Sequence, residues 1–594
     1  TTGSDMNATA RTSAHRSLPS ALPALVAVTA ISGLAASSLW TEARAEGEPA
    51  PAQPPPGATL DSALRFRNAP IVTAVRDPHL SPRPAEREFL RATYFFDAYL
   101  GKRSVRRLAS TPPTRALAVN ALDEVPDSSW FQNRAGARPI LPSDIHDRHL
   151  ASPKAPFTVL GTKLGGTSLG MRVRDANGAG FLLKFDAPDD PDGQTAADLV
   201  VQRLLWACGY HTAEDTIIDL RAEDLHLHPK AIAKTNRSLA RPMVEGDITD
   251  ILRAVERRPD GRYQVLMSRL LDGVPVGGFP QQGVRPDDPN DVVPHEDRRD
   301  VRGARVFFSW LNHVDIKEDN FLDTWIEDPA TPGRGQVRHN LVDFGNSLGI
   351  FDWKADPSVG FSELWDVGYG LRGLVSFGLW RRPWEGLQPS PLFGVGNLES
   401  ARFDPAGWRP QYPWAPFERF DRFDGSWAAR ILMRVSPEVV GAAVAEGRYR
   451  DPRAAAYITR TLVERQRKIG WHYLRETSPL EGFTIAEGEG GARLCFEDPL
   501  IEHFGAQVPS LAAATRHRVA TWDFAGRSLP VRLERPGAAQ VCLDGLRLPL
   551  DHDGYTVIDI ETTRGAASPL NRMLVHVARA PHTKTLRVIG LRRL

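Results

Sequence analysis

At 594 residues the chain is too long for one ordinary domain, and two or three are expected. Its 73 basic and 72 acidic residues nearly cancel, so no basic excess points to a nucleic-acid partner. Apolar residues make up 42%, beside 49 glycines and 48 prolines, which predicts a folded, loop-rich molecule, and three cysteines are too few for a disulfide scaffold.

The N-terminal stretch predicts a targeting segment. Arg11, His15 and Arg16 precede an Ala-, Leu- and Val-rich run from Leu18 to Trp40, and Ala43-Arg44-Ala45 then offers small residues at signal-peptidase spacing. Export with cleavage after Ala45 is the expectation; a membrane anchor over residues 18–40 is the alternative, which Pro19 and Pro23 weaken. Residues 46–84 read as a linker, proline-rich over EGEPAPAQPPPGA at 46–58. Residues 85–150 form an N-terminal extension, with a helix over 85–107 and irregular chain after it.

From Phe157 the pattern turns to short strands. FTVLGTK, LGMRVRD and GFLLKFD follow one another, the last two joined by an Asn177-Gly178 hairpin turn. A helix over 194–208, a strand near 216–220 and a strand passing into a loop over 263–273 complete a β-rich region at 151–273. Helices dominate 274–478, over 296–312, 426–447 and 451–475, the last opened by an Asp451-Pro452 cap. After about residue 480, runs such as YTVIDIETT and TLRVIGLRR predict a small all-β, sandwich-like domain at 479–594. Cys208 reads as a buried thiol; Cys495 and Cys542 could pair if the compartment is oxidising.

The motif that carries chemistry is His313-Val-Asp315-Ile-Lys-Glu-Asp-Asn320, followed by Asp343-Phe344-Gly345. Phosphoryl transfer asks a protein chiefly to position phosphates, metal ions and an acceptor hydroxyl, and to neutralise developing charge. Asp315 can take the acceptor's proton, Asn320 and Asp343 can ligate magnesium through oxygen, and Lys317 adds positive charge. His313 reads as a structural residue of the loop. The charged run Pro294–Arg299 reads as a helix start rather than a metal site, and no zinc spacing, Walker loop or nucleophile elbow occurs.

These residues resemble the protein-kinase-like superfamily over about 151–475, in the manner of atypical bacterial kinases such as the HipA-like and spore-coat-kinase-like families. The resemblance implies an α+β, two-lobed domain with a β-rich N-lobe and a helical C-lobe, ATP and Mg2+ as cofactors, and an unspecified hydroxyl acceptor. It implies that Lys184 in FLLKFD contacts the phosphates, that Gly165, Gly166, Thr167 and Ser168 form the glycine loop, and that Asp198 pairs with Lys184, Gln202 lying one turn later. Phe344 and Gly345 are then structural neighbours of the site. Val314 stands where such kinases often carry arginine, no Ala-Pro-Glu motif follows Asp343, and the glycine pattern is incomplete. Two expectations follow: an exported phosphotransferase, or a non-catalytic envelope binding protein on the same fold, with the β domain contacting an envelope partner.

Overall fold

A computed structural model describes residues 74–594, apart from 110–113, 147–151, 164–168, 235–238 and 566–570 and positions 353, 389, 524, 551 and 581. The expected leader or anchor, most of the linker, and Gly165, Gly166, Thr167 and Ser168 therefore lie outside the described residues. Among those described, no helix is long and apolar enough to cross a membrane.

The N-terminal segment forms α1 (Arg91–Tyr99), α2 (Gly101–Ala109) and a short α3 (Pro142–His146). The single helix expected over 85–107 is thus two helices that begin six residues later. Leu100 leaves helical geometry (φ −124°, ψ −67°) just before Gly101, the poorest helix former in the stretch after proline.

A seven-stranded mixed sheet follows. Its strands are β1 (Phe157–Thr162), β2 (Gly170–Arg174), β3 (Gly180–Phe185), β4 (Asp215–Leu220), β5 (Leu225–Ala233), β6 (Arg241–Pro242) and β7 (Tyr263–Arg269), in the order β4-β7-β3-β2-β1-β5-β6. Only β1 and β5 run parallel; the other neighbours are antiparallel. The β2–β3 hairpin turns at Asn177-Gly178, where Gly178 has φ +88° and Asp175 Oδ1 accepts the N–H of both Asn177 and Ala179. Alternate residues Phe157, Val159, Met171, Val173, Phe181 and Leu183 bury one face of the sheet. Two helices belong to this region: α4 (Gln194–Cys208), buried on nearly every side, and α5 (Glu245–Ala254).

Beyond it lies a helical region with α6 (Arg299–Leu311), α7 (Val367–Val375), α8 (Ala415–Glu418), α9 (Arg422–Met433), α10 (Pro437–Glu446) and α11 (Pro452–Tyr473), interrupted by a small sheet of β8 (Val274–Pro275), β9 (Phe321–Glu327) and β10 (Gly335–Leu341). The helix expected over 426–447 is two. Pro437 cannot extend a preceding helix but fits a first turn, and Ser436 caps that turn by accepting the Val439 N–H. The Asp451-Pro452 start holds, with Asp451 accepting the Arg453 N–H. The charged run at 294–299 is structural: buried His295 bonds Asp291 at 2.7 Å, and Arg298 pairs with Asp300. A hairpin of β11 (Ile350–Phe351) and β12 (Lys354–Ala355) precedes α7. One large core joins α4, α6, α9, α10 and α11, centred on Trp310, Phe307, Trp427 and Leu432.

The C-terminal strands form two antiparallel sheets. One runs β13 (Glu481–Gly488), β14 (Gly491–Glu497), β17 (Gln540–Leu546), β16 (Arg532–Glu534); the other runs β15 (Thr515–Asp523), β18 (Thr556–Arg564), β19 (Asn571–Arg579), β20 (Leu586–Arg593). Leu494, Phe496 and Leu543 of the first pack with Ile558, Ile560 and Val575 of the second in one core. Two short helices, α12 (Pro499–Phe504) and α13 (Ser510–Ala514), link the sheets. Cys495 and Cys542 face each other across β14 and β17 and form a disulfide, and Cys208 is the buried free thiol. The whole is an α+β molecule: a large mixed sheet, a helical region, and C-terminal antiparallel sheets stapled by a disulfide.

Candidate functional site

The site is built from two loops that the core forces into register. Helix α6 ends at Asn312 in left-handed geometry (φ 48°), which turns the chain sharply; the Asn312 side chain accepts the Trp408 indole N–H at 2.9 Å. In the extended run that follows, Val314 and Ile316 are fully buried, so the alternation aims Asp315 and Lys317 at the opposite side, where both line a cleft. A short 3-10 turn at Glu318–Asn320 brings the chain back, and Asn320 Nδ2 donates to the Asp315 carbonyl at 2.6 Å. The Val342 N–H then donates to the Asn320 carbonyl at 3.1 Å, drawing the second loop alongside the first.

In that second loop Asp343 adopts φ +65°, a region aspartate tolerates better than most residues. Phe344 is buried against His313, ring centroids 5.5 Å apart, and its N–H donates to Asp198 Oδ1 at 3.0 Å. Asn346 Nδ2 donates to Asp315 Oδ2 at 3.0 Å. Gly345 has room for a side chain: an added Cβ meets nothing nearer than Gln194 Cβ at 3.5 Å.

Charges alternate across the cleft. Lys184 Nζ, on β3, donates to Asp198 Oδ2 at 2.6 Å and to Asp343 Oδ1 at 2.9 Å. Burial alone would lower its pKa, but Asp198 and Asp343 outweigh that and hold it above the usual lysine range. Chiefly through Lys184, with Lys163 and Lys317 adding to it against the pull of burial, Asp343 stays far below the usual carboxylate range. Lys317 donates to Asp315 Oδ1 at 2.6 Å, and Asp315 and Asp319 raise its pKa against the effect of burial. His313 is buried, which lowers it to about 4, and its ring bonds Ser347 Oγ at 2.9 Å.

The cleft between the mixed sheet and the helical region has a volume of about 820 Å³, within the range of roughly 300–1,000 Å³ common to small-molecule sites. Lys184, Asp315, Lys317, Asn320, Asp343 and Gly345 line it, whereas Asp198 and Phe344 support it from behind. Leu182, Ala213, Leu270 and Val342 supply apolar wall. Asp343 Oδ2 and Asn320 Oδ1 accept no hydrogen bond among the described residues, although the opposite atom of each side chain is engaged. A carboxylate and an amide oxygen are hard donors and fit magnesium, which usually takes one or two protein carboxylates and completes its shell with phosphate and water. No group of three or more His, Cys, Asp or Glu suited to a metal ion occurs among the described residues, so a closed protein cage is not what this donor set offers.

Gln202, placed by sequence on the same face as Asp198, turns elsewhere and donates to Thr212 Oγ1 at 2.7 Å. Sequence reasoning missed three cleft residues. Asn346 lies just past Gly345 and grips Asp315; Asp319 sits 3.9 Å from Lys317; Lys163, at the exit of β1, lines the cleft with its pKa lowered by burial. In the sequence, the alternation of FTVLGTK, which buries Phe157, Val159 and Gly161, is the signal that bears on that strand's exit.

No protein-family model matches the chain, and no curated protein matches it. Among solved structures, the twitchin kinase region from C. elegans (Fn31-NL-kin-CRD-Ig26) aligns at 10% identity over 74% of this chain and 78% of that chain. The TM-score is 0.19, and at that value the likeness carries no argument.

Proposed function

We propose that the chain is an exported phosphotransferase whose residues 151–475 form a two-lobed, protein-kinase-like catalytic region that moves the γ-phosphate of ATP to a hydroxyl acceptor. The observation that carries this reading is one arrangement: Lys184, Asp315, Lys317, Asn320 and Asp343, from three separate stretches of sequence, line a single cleft. In this reading the acceptor oxygen forms a bond to the γ-phosphorus while the bond from that phosphorus to the β–γ bridging oxygen breaks, and ADP leaves. Asp315 takes the acceptor's proton, held in place by Lys317 and Asn346. Lys184 binds phosphate oxygens and Lys317 offsets charge on the transferred group. The apolar wall of Leu182, Ala213 and Leu270 suits a nucleobase. Asp343 and Asn320 would hold magnesium, which would neutralise phosphate charge there.

A second reading, a non-catalytic binding or scaffold protein of the cell envelope that engages a partner through its C-terminal sheets, is favoured by one observation. The Cys495–Cys542 disulfide suits an oxidising compartment, as an export leader does, and ATP is scarce there.

Thermal unfolding with and without nucleotide separates the two. Magnesium-dependent stabilisation by ATP is expected, worth about 2.7 kcal/mol at a hundredfold excess over Kd. Asp343→Ala abolishes it, whereas Asp315→Asn keeps the stabilisation and loses transfer of labelled γ-phosphate. No stabilisation at millimolar ATP, with or without magnesium, defeats the phosphotransferase reading and leaves the scaffold.

A further inference from the structure

The rim of the cleft carries an apolar surface that its catalytic reading does not use. Helix α7 has no buried residue, and the chain around it exposes Val367 (72%), Leu374 (73%), Phe377 (94%) and Leu379 (86%). Single exposed apolar side chains are ordinary, but a contiguous run of this kind on one segment marks a contact surface. The segment is also a built unit. Tyr369 packs its ring against Trp380 and Trp384, at 5.1 and 5.5 Å, and its hydroxyl donates to the Phe361 carbonyl. That aromatic cluster holds the 367–384 stretch together and leaves the aliphatic tips facing outward.

Charge narrows the occupant. Between Val367 and Leu387 there are three arginines, Arg372, Arg381 and Arg382, against one acid, Glu385. All three arginines are exposed, and Arg372 and Arg382 lie over the Trp380 and Trp384 rings at 5.7 Å. Helix α2 beside it, GKRSVRRLA, exposes Val105 (67%) and Leu108 (83%); its Arg103 and Arg106 are taken up by Glu363 and Glu418, and Lys102 and Arg107 are its exposed cations. The helical pair α1–α2 is fastened at the cleft mouth to the 363–365 chain that leads into α7. Arg103 of α2 grips Glu363 with both terminal nitrogens at 2.8 Å, and Tyr99 packs on Trp365 at 5.2 Å. Tyr99, Leu364 and Trp365 all line the cleft.

Exposed aliphatic tips, tryptophans at their base and arginines around them form the composition of segments that lie in the boundary of a bilayer, where apolar groups enter the acyl region and cations meet headgroup phosphates. We propose that α7 and the 376–387 chain, with α2 beside them, dock on an anionic lipid bilayer and turn the mouth of the cleft toward it. This inference stands apart from the phosphotransfer reading, since it rests on surface composition and not on nucleotide chemistry.

The test is a single fluorescent label on the full chain. Cys208 is buried and Cys495 and Cys542 are bonded, so Phe377→Cys gives one reactive thiol for an environment-sensitive dye, and Leu550→Cys, fully exposed in the loop between β17 and β18, gives a control. Vesicles of phosphatidylcholine containing phosphatidylglycerol are expected to shift the 377 label to the blue and raise its emission severalfold, while the 550 label stays unchanged. High salt and pure phosphatidylcholine should each diminish the response, and Leu374→Glu should weaken partitioning roughly tenfold. Because the dye reports only its own surroundings, vesicle binding through the Leu18–Trp40 run leaves it unchanged. A silent 377 label, equal responses at 377 and 550, or a blue shift that follows protein concentration without vesicles overturns the proposal; the last outcome assigns the surface to a second copy of the chain.

Discussion

Asp198 and Asp343 both accept from Lys184, yet they meet water differently: the Asp198 side chain is 3% exposed and that of Asp343 is 37%. Asp198→Ala leaves Lys184 with one partly solvated carboxylate and the buried Phe344 N–H without its acceptor, and loss of a buried partner costs up to about 3–5 kcal/mol; Asp343→Ala leaves the buried Lys184–Asp198 pair intact and costs less. Urea unfolding should therefore rank Asp198→Ala well below Asp343→Ala in stability, although only Asp343→Ala removes a cleft oxygen. Equal losses would mean that Lys184 is held by both carboxylates alike. At this scale the sequence displays part of the site. Asp315, Asn320 and Asp343 stand out because their spacing is set along the chain, and Lys184 because it sits on a hairpin strand. Asn346 and Lys163 do not stand out, since their relation to Asp315 and Asp343 exists only once two distant loops have packed. That Asp198 reaches Lys184 while Gln202, one turn further along the same face, bonds Thr212 depends on where α4 sits along its axis against β3, which the spacing of the two residues does not set.

Among the elements, strands were more legible than helix ends. The hairpin at Asn177-Gly178 follows from turn chemistry that only a few residues satisfy, and the C-terminal strands follow from alternation. The helix over 426–447 was overextended because apolar periodicity continues across Arg434–Ser436, while the break is dictated by Pro437. The disulfide is an element-scale device: it joins β14 to β17 side by side and closes a loop with a sequence separation of 47. Chain-entropy reasoning gives about 4 kcal/mol for a loop of that length. Reduction, or a Cys495→Ala/Cys542→Ala pair, should destabilise the C-terminal sheets by roughly that amount and leave the α4–α6–α11 core melting nearly unchanged. Calorimetry before and after reduction checks this, and an unaltered thermogram would show the sheets to be independent of their staple.

Across the whole molecule, buried ionisable groups act against one another as pH falls. Burial lowers His211, His313 and His576 to about 4 and His517 to about 3. The unfolded chain, with histidine near 6.5, then binds more protons than the folded one, so these groups lose stability as pH drops through 6.5 toward 4. Burial raises Asp186 and Asp215 to about 7, the nearby Asp198 adding to the effect at Asp215. Here the folded state binds the extra proton, so stability grows as pH falls from 7 toward the unfolded value near 3.8. The two sets act in opposite directions, so the net slope over this window is smaller than either set alone would give. Single variants expose them. Between pH 7 and pH 5.5, His576→Gln should gain on the order of 1 kcal/mol relative to the parent chain, and Asp215→Asn should lose stability relative to it, because each removes one slope and leaves the other intact. Denaturant titrations at the two pH values read both differences. If both variants track the parent, the His576 ring and the Asp215 carboxyl titrate alike in the folded and unfolded chain, and burial is not what governs their protons.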